Sequence, residues 1–211
     1  MSNPKTFDQA FQMLSLAREA DTSLETFQAL YATGLLSDLL KAENPSAVDR
    51  EQFRRILGFD PSVFRTVIGG HETTDDIVRY LREDNRFNYV NDYITQANFP
   101  LVGNELSADD IVIHDPGCSF SEDEGLAILK QQGLLRPTYE HALWFARQHG
   151  TATTSKKKPF VIFLHKPWQD PDRSRRVLCV NRDPDNRELG LGCAGSRFDG
   201  RCVLAGVRPR S

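Results

Sequence analysis

Residues 121–150, SEDEGLAILKQQGLLRPTYEHALWFARQHG, predict two helices in succession. The hydroxyl of Ser121 and the acid three residues later match a capping box, which satisfies backbone amides at the start of a helix, and Gly133 should end that helix. The second helix should begin at Thr138 and end at Gly150. Both helices carry an apolar stripe, so each should be partly buried.

Short apolar runs on both sides of this segment predict strands. Residues 111–113 form one run upstream, and residues 159–165, PFVIFLH, form a longer one downstream that reads as a continuous strand buried on both faces. Two further strands are expected at residues 177–180 and 202–207. Residues 110–211 are therefore expected to fold as a mixed module of helices and strands.

The part of the chain before this module predicts a different organisation. Apolar residues recur at helical spacing through residues 1–58, and a capping box at residues 22–25 begins one of the helices. Residues 59–109 predict a connector of mixed structure, with a strand at 64–68 and a short helix at 74–82. The expected fold class is α+β, with an N-terminal helical region, this connector and the module.

The composition is that of an ordinary globular protein. Of the 211 residues, 39% are hydrophobic and 26% are charged, which argues against wholesale disorder and against a membrane protein. No apolar run reaches the roughly 18 residues needed to cross a bilayer. The N-terminus also lacks the apolar segment of a secretory signal, so the expected location is the cytoplasm.

The cysteines and the charge distribution argue against several kinds of binding site. Four cysteines without a CxxC pair predict reduced thiols rather than a disulfide framework or a zinc site. The Asp-Pro-Asp runs at residues 170–172 and 183–185 are explained better by Asx turns than by calcium binding. The net charge of −3 argues against a global nucleic-acid surface, although the chain is locally basic from Arg173 onward. No metal and no other cofactor is predicted, and no membrane partner.

Residues 121–150 resemble the two-helix segment of formylglycine-generating enzymes and their C-type-lectin-fold relatives. That pattern has a capped helix, a glycine, a Pro-Thr pair and a second helix with an acid and aromatics. The chain end at residues 205–208, AGVR, is similar to the Gly-Phe-Arg that closes the sheet of that fold. The resemblance implies a C-type-lectin-like module of helices and an antiparallel sheet over residues 110–211. The enzymes use a cysteine pair well upstream of that closing motif, whereas Cys193 and Cys202 lie beside it, so oxidase activity is not implied.

The module is closest in character to the non-enzymatic variable proteins of diversity-generating retroelements, which resemble it in carrying a surface segment before the last strand. That resemblance implies a module that binds a protein or small ligand through residues 181–201, with Trp168 as an exposed aromatic contact. Its polar, Arg/Asn-rich surface would include the following candidate ligand-binding residues: Trp168, Arg182, Asn186, Arg187, Arg197, Phe198, Asp199 and Arg201.

Two other functions stay open from the sequence. One is an enzyme of unknown class that uses Cys118, with His114 or His141 as its base, or the cysteines Cys193 and Cys202. The other is a binder of anions or nucleic acid through the C-terminal arginines, which would lose affinity steeply with salt.

Two smaller motifs favour structural roles. His165, at the end of the apolar strand, is expected to bond to a neighbouring carbonyl. The lysines of residues 156–158 are expected to keep a loop in water rather than to meet phosphate or a membrane surface.

Overall fold

The structure, a computed structural model, describes most of the chain after residue 61. The described residues are 62–83, 86–102, 104–150 and 157–209, together with residues 32, 41 and 60. The chain divides into two compact units, which are Met1–Asp49 and Arg50–Ser211. In the predicted helical region 1–58 only Ala32 and Lys41 are described, both helical, and the rest of that prediction lies outside the described residues. All the elements named below belong to the second unit.

Three helices lie in the described residues, and each begins with a capping box. They are α1 (Thr74–Arg82), α2 (Glu122–Gln131) and α3 (Tyr139–His149), capped by the hydroxyls of Thr73, Ser121 and Thr138. The three predicted helices of this region are therefore confirmed. In α3 the acid of the usual box is replaced by His141, whose Nδ1 accepts from the Thr138 amide at 3.0 Å. No helix in the described part of the chain is both long and apolar enough to span a bilayer.

The described strands form one mixed sheet. They are β1 (Val63–Gly70), β2 (Tyr89–Val90), β3 (Asn104–His114), β4 (Phe160–Ile162), β5 (Trp168–Gln169), β6 (Arg175–Asp183), β7 (Asn186–Cys193) and β8 (Cys202–Val207). Their order is β1-β3-β8-β4-β6-β7-β2, and β5 pairs with β6 outside this path. The β4–β8 and β2–β7 pairs are parallel and the others antiparallel. The sheet is thus mixed, whereas an antiparallel one was predicted.

β2 and β5 were not predicted, and β6 extends beyond the predicted residues 177–180. Differences at three other strands have a physical reason. β3 begins seven residues before the predicted start at residue 111 because β1 pairs along it, so one sheet continues across residue 110. β4 ends at Ile162 because the imidazole of His165, rather than a strand backbone, takes the Leu178 amide. β7 lies within residues 181–201, which were predicted as a surface segment from the resemblance to variable proteins and from their polar composition. Its glycines weaken the strand signal. Gly192 is needed there because an added Cβ would lie 3.1 Å from the Phe198 ring.

The sheet buries both of its faces. One face carries the larger core, which includes Ile77, Leu81, Leu143 and Phe145 of α1 and α3. The other face packs against α2 through Leu129 and is covered further by the segment after β7. Because side chains alternate across a strand, successive residues of the central strands serve the two cores in turn.

The edge strand β1 is closed by α3. The Gln148 amide accepts from Val67 N at 3.0 Å and donates to Val67 O at 2.6 Å, as a neighbouring peptide would. His149 Nε2 lies 2.9 Å from Arg65 O, two residues along the same side of the strand. These contacts satisfy backbone groups that would otherwise be available to another strand.

Candidate functional site

The residues predicted to form one binding surface lie in separate parts of the molecule. Trp168 is at the β5 end of β6, whereas Asn186 and Arg187 begin β7 at the opposite end of the hairpin. Cys193 lies seven positions after Asn186 along β7, which is roughly 23 Å at the rise of a strand. Arg182 is on β6, and the remaining candidates lie in the segment between β7 and β8: Arg197, Phe198, Asp199 and Arg201.

Two of the candidates are buried. Phe198 packs on Phe120 with ring centroids 5.3 Å apart, and the two residues exchange backbone hydrogen bonds of 2.8 and 3.0 Å. Arg182 is 3% exposed, with its guanidinium 4.8 Å from the centroid of the Phe64 ring. Phe198 therefore belongs to the core beside α2, and Arg182 lies below the surface.

The exposed candidates contact neighbouring acids and carbonyls. Arg197 donates to Glu124 Oε1 at 3.2 Å and to Ser119 O at 2.9 Å, at the start of α2. Arg201 pairs with Asp199 at 3.1 Å. Asn186 donates to Glu188 Oε1 at 2.7 Å. Exposed ion pairs of this kind contribute little energy, but here they hold the arginines against the protein's own surface.

A different group of side chains comes together around Trp168. We call it the edge site and define it by Tyr93, Trp168, Arg176, Leu191 and Cys193. Trp168 pairs across strands with Arg176, and Arg176 pairs with Cys193, so the three lie in a row on one face of the sheet. Leu191 is on the same face two residues before Cys193.

Two aromatic rings form the exposed part of the edge site. The Tyr93 side chain is 50% exposed, and its ring centroid lies 5.9 Å from that of Trp168. Trp168 in turn packs on the buried ring of Phe99, with the two ring centroids 5.5 Å apart. The indole is thus packed from beneath and partly buried, which suits a rigid aromatic contact for a partner.

The charge at the edge site is held in place. Arg176 Nε donates to Asp170 Oδ2 at 2.8 Å, and the Ser174 amide donates to Asp170 Oδ1 at 2.7 Å. These contacts, the arginine first, lower the pKa of the Asp170 carboxyl and raise that of Arg176, so both stay ionised. The guanidinium is oriented by its acid in the middle of the row.

The thiol of Cys193 differs from the other two cysteines of the sheet. A hydrogen bond with the Ser196 side chain, helped by the Gly195 amide and the charge of Arg176, lowers the Cys193 pKa. Burial raises the pKa of Cys179 to about 12 and that of Cys202 to about 11. Of these three thiols, Cys193 is the one whose environment favours the reactive thiolate.

The outer edge of β7 is only half covered. β2 pairs with β7 at Glu188 and Leu189, and in the described part of the chain no strand lies outside residues 190–193. The amides of Asn88 and Asn91 bond to the carbonyls of Arg187 and Leu189 from this side. Because backbone groups alternate in direction along an antiparallel strand, those of Leu191 and the amide of Cys193 point outward too, while the carbonyl of Cys193 accepts from the Ser196 amide at 3.3 Å.

The groups proposed for a thiol enzyme are not brought together. Cys118 is exposed in the turn before α2, and no hydrogen bond joins it to a histidine among the described residues. His141 lies 3.3 Å from Asp109. His165 Nδ1 lies 2.7 Å from Lys166 O, the structural role predicted for it. Within the described ranges, no three His, Cys, Asp or Glu side chains are grouped so that they could hold a metal ion.

Comparisons with known proteins add no relative. No family model, no curated protein and no solved structure matches this chain. Of the edge site, the sequence pointed to Trp168 as a contact and raised Cys193 only in connection with thiol chemistry. Tyr93, Arg176 and Leu191 were missed because their proximity depends on the register of β5, β6 and β7, which a single sequence does not specify.

Proposed function

We propose that this chain is a binding protein that takes an extended peptide segment of a partner along the outer edge of β7. The observation that carries the proposal is the stretch of β7 at residues 190–193, outside which no strand lies in the described part of the chain. Trp168 lies across β6 from it on the same face of the sheet, with the Tyr93 ring against Trp168. Extended peptides commonly bind by adding a strand to such an edge.

The backbone of β7 supports this mode of binding. The outward amide and carbonyl of Leu191 and the amide of Cys193 would bond to the peptide backbone, which gives affinity with little dependence on sequence. The opposite edge of the sheet, β1, is closed by Gln148 and His149. Strand addition is therefore directed to β7.

The side chains of the edge site support selectivity. Trp168 and Tyr93 offer large, rigid contact areas with few rotatable bonds to fix, which is why such residues dominate binding energy at interfaces. Arg176, oriented by Asp170, supplies a hydrogen-bonding group between them and the edge. A peptide with an apolar or aromatic residue opposite Trp168 is the expected ligand.

The proposal is tested by selecting peptides from a random phage library on the intact chain and measuring their affinity by calorimetry. Trp168→Ala and Tyr93→Ala should each weaken binding by about tenfold or more, as loss of an interface aromatic does. Tyr89→Ala is the matched control. Tyr89 is 48% exposed, close to the 50% of Tyr93, but it lies on the face of the sheet opposite to the edge site. N-methylation of alternate peptide amides should abolish binding, since it removes the ladder hydrogen bonds. Equal losses for Tyr93→Ala and Tyr89→Ala, or tolerance of N-methylation, would overturn the proposal.

A second candidate function is thiol chemistry at Cys193, favoured by the lowered pKa of that thiol. The substitution Cys193→Ser distinguishes the two functions. Peptide affinity should survive this substitution because the backbone of β7 is unchanged, whereas a thiol enzyme would lose its activity entirely.

The C-type-lectin-like relationship of residues 110–211 stands beside these proposals. It is supported by the order of its parts: two capped helices, α2 and α3, followed by a sheet that ends with β8. In that arrangement the variable-protein resemblance supports a display role for the region after β6, which includes β7.

A further inference from the structure

A hydroxyl, an imidazole and a carboxylate follow one another at the start of α3. Thr138 Oγ lies 2.7 Å from His141 Nδ1, and His141 Nε2 lies 3.3 Å from Asp109 Oδ2. The threonine and the histidine belong to the first turn of α3, whereas Asp109 is on β3, 32 residues before the histidine. A hydroxyl, a base and an orienting acid in this order are the groups that acyl transfer to a hydroxyl requires.

The neighbours of His141 determine which of its ring nitrogens carries the proton. The amide of Thr138 donates to Nδ1 at 3.0 Å, and an amide nitrogen can only donate, so Nδ1 accepts and Nε2 carries the proton. Nε2 therefore donates to the carboxylate of Asp109. The lone pair of Nδ1 faces the Thr138 hydroxyl, so the imidazole is already in the form that can take a proton from it.

The exposure of the three side chains suits these roles. The side chains of His141 and Asp109 are each 13% exposed, so the contact between them is largely shielded from water. Thr138 is exposed, so a small substrate can reach its hydroxyl. A shielded base beside an accessible nucleophile is the arrangement needed for reaction with an external substrate.

Helix capping alone does not account for the histidine. The other two capping boxes in the described part of the chain have acids, Asp76 and Glu124, at the position that His141 occupies in α3. The Thr138 hydroxyl accepts from the His141 amide at 3.5 Å, whereas it lies 2.7 Å from the imidazole. The imidazole, with a carboxylate behind it, is thus the closer partner of this hydroxyl.

We propose that Thr138 is a nucleophile that hydrolyses small esters through an acyl-threonine intermediate. Its Oγ attacks the ester carbonyl while His141 Nδ1 takes the hydroxyl proton, and Asp109 is a positioning residue that stabilises the imidazolium. Once Nδ1 holds the proton, the Thr138 amide no longer bonds to it and donates to the oxyanion instead.

The remaining steps return the site to its starting state. Collapse of the tetrahedral intermediate breaks the ester C–O bond, and the imidazolium gives its proton to the leaving alcohol. Water then attacks the acyl-threonine with His141 as the base again. This second step releases the carboxylic acid and restores the Thr138 hydroxyl.

The experiment treats the intact chain with a fluorophosphonate, which phosphonylates activated hydroxyls with loss of fluoride, and locates the label by peptide mass spectrometry. Label is expected at Thr138 and not at Thr73 or Ser121, whose capping boxes place a carboxylate where α3 has an imidazole. Hydrolysis of p-nitrophenyl acetate is measured in parallel. The thiols are first blocked with iodoacetamide, because thiolates also attack active esters.

Four variants distinguish catalysis from helix capping. Thr138→Asn keeps a good N-cap residue without the hydroxyl and should abolish hydrolysis, whereas Thr138→Ser keeps both and should retain it. His141→Gln keeps a residue that suits a capping box and should lower the rate by about 100-fold or more, the loss expected for a general base. Asp109→Asn should lower kcat by about tenfold or more and leave KM unchanged, since Asp109 acts through the imidazole and does not touch the ester.

Several results would overturn the proposal. They are absence of label at Thr138 in the wild type, equal labelling of Thr138, Thr73 and Ser121, and hydrolysis that Thr138→Asn or His141→Gln leaves unchanged. A loss of helix stability in His141→Gln without a loss of hydrolysis would likewise assign the histidine to capping. Peptide binding at the edge site needs none of these three side chains, so failure of either proposal leaves the other standing.

Discussion

Acid should destabilise this protein through one buried histidine before its carboxylates titrate. His165 is 1% exposed, its Nδ1 lies 2.7 Å from Lys166 O, and its Nε2 lies 2.9 Å from Leu178 N. The amide of Leu178 can only donate, so Nε2 accepts and Nδ1 carries the proton. Protonation of Nε2 would break that bond and place a charge in the core. Burial, with a smaller contribution from the charge of Arg136, lowers the His165 pKa from 6.5 to about 4.

Proton linkage gives the direction and the size of the change in the free energy of unfolding with pH. Above the unfolded pKa the imidazole is neutral in both states and has no effect on stability. Between pH 6.5 and about 4 the unfolded chain binds a proton that the folded chain does not, so the free energy of unfolding falls as the pH falls. From pH 7 to about pH 5 the loss from this group is about 2 kcal/mol, and it approaches about 3 kcal/mol near pH 4.

The assay is urea unfolding of the wild type and of His165→Gln, which carries no charge at any of these pH values. The variant should be less stable near pH 7, because a buried hydrogen bond is disturbed. Its stability should change about 2 kcal/mol less than that of the wild type between pH 7 and about pH 5. Parallel pH dependence of the two proteins would refute the reasoning, since other groups would then account for the whole effect.

Three further predictions concern the sheet and its thiols. Gln148→Ala should lower the free energy of unfolding by about 1 to 2 kcal/mol and promote self-association, because it reopens the β1 edge. Calorimetry measures the loss of stability, and light scattering measures self-association. The control Gln131→Ala, on α2, should change neither the stability nor the self-association. Gly206→Ala should cost about 1 to 3 kcal/mol in chemical denaturation, because its Cβ would lie 2.8 Å from Leu134 Cβ. Gly200→Ala, with nothing within 4 Å, should be near neutral, and a similar loss at both sites would contradict the packing argument. Iodoacetamide should modify Cys193 at least about tenfold faster than Cys202, measured by peptide mass spectrometry, because their pKa values are shifted in opposite directions. Equal rates for the two cysteines would rule out the proposed difference in thiolate character.

The helices of the described region could be predicted because their signals are local. The acidic turn after Thr73, the capping box at Ser121 and the Pro137-Thr138 pair predict the starts of α1, α2 and α3, and each depends only on residues close together in the sequence. The extents of β3 and β4 depended on distant partners instead. The apolar run after Ile162 is buried without pairing as a strand, because His165 turns back to bond to Leu178.

The edge site was harder to predict because its residues become neighbours only through the register in which β5, β6 and β7 pair. Trp168, Arg176 and Cys193 are each unremarkable in sequence, and they become neighbours only when β5, β6 and β7 pair at one particular offset. A shift of one residue would turn Arg176 to the other face. Tyr93 approaches Trp168 from a turn with no periodic pattern at all. No property of these residues taken singly indicates their grouping.

β7 shows why composition favoured a displayed loop where the chain forms a strand. Its glycines at positions 190 and 192 lie on one face, where Cys179 and the ring of Phe198 approach closely. Its larger side chains, Leu191 and Cys193, lie on the opposite face beside Trp168. Glycine thus serves here as a packing residue on one side of a strand whose other side and outer edge stay accessible. The same Gly-Leu-Gly-Cys order that weakens the strand signal therefore lets the underside close, and it leaves β7 as the edge at which we propose that a partner binds.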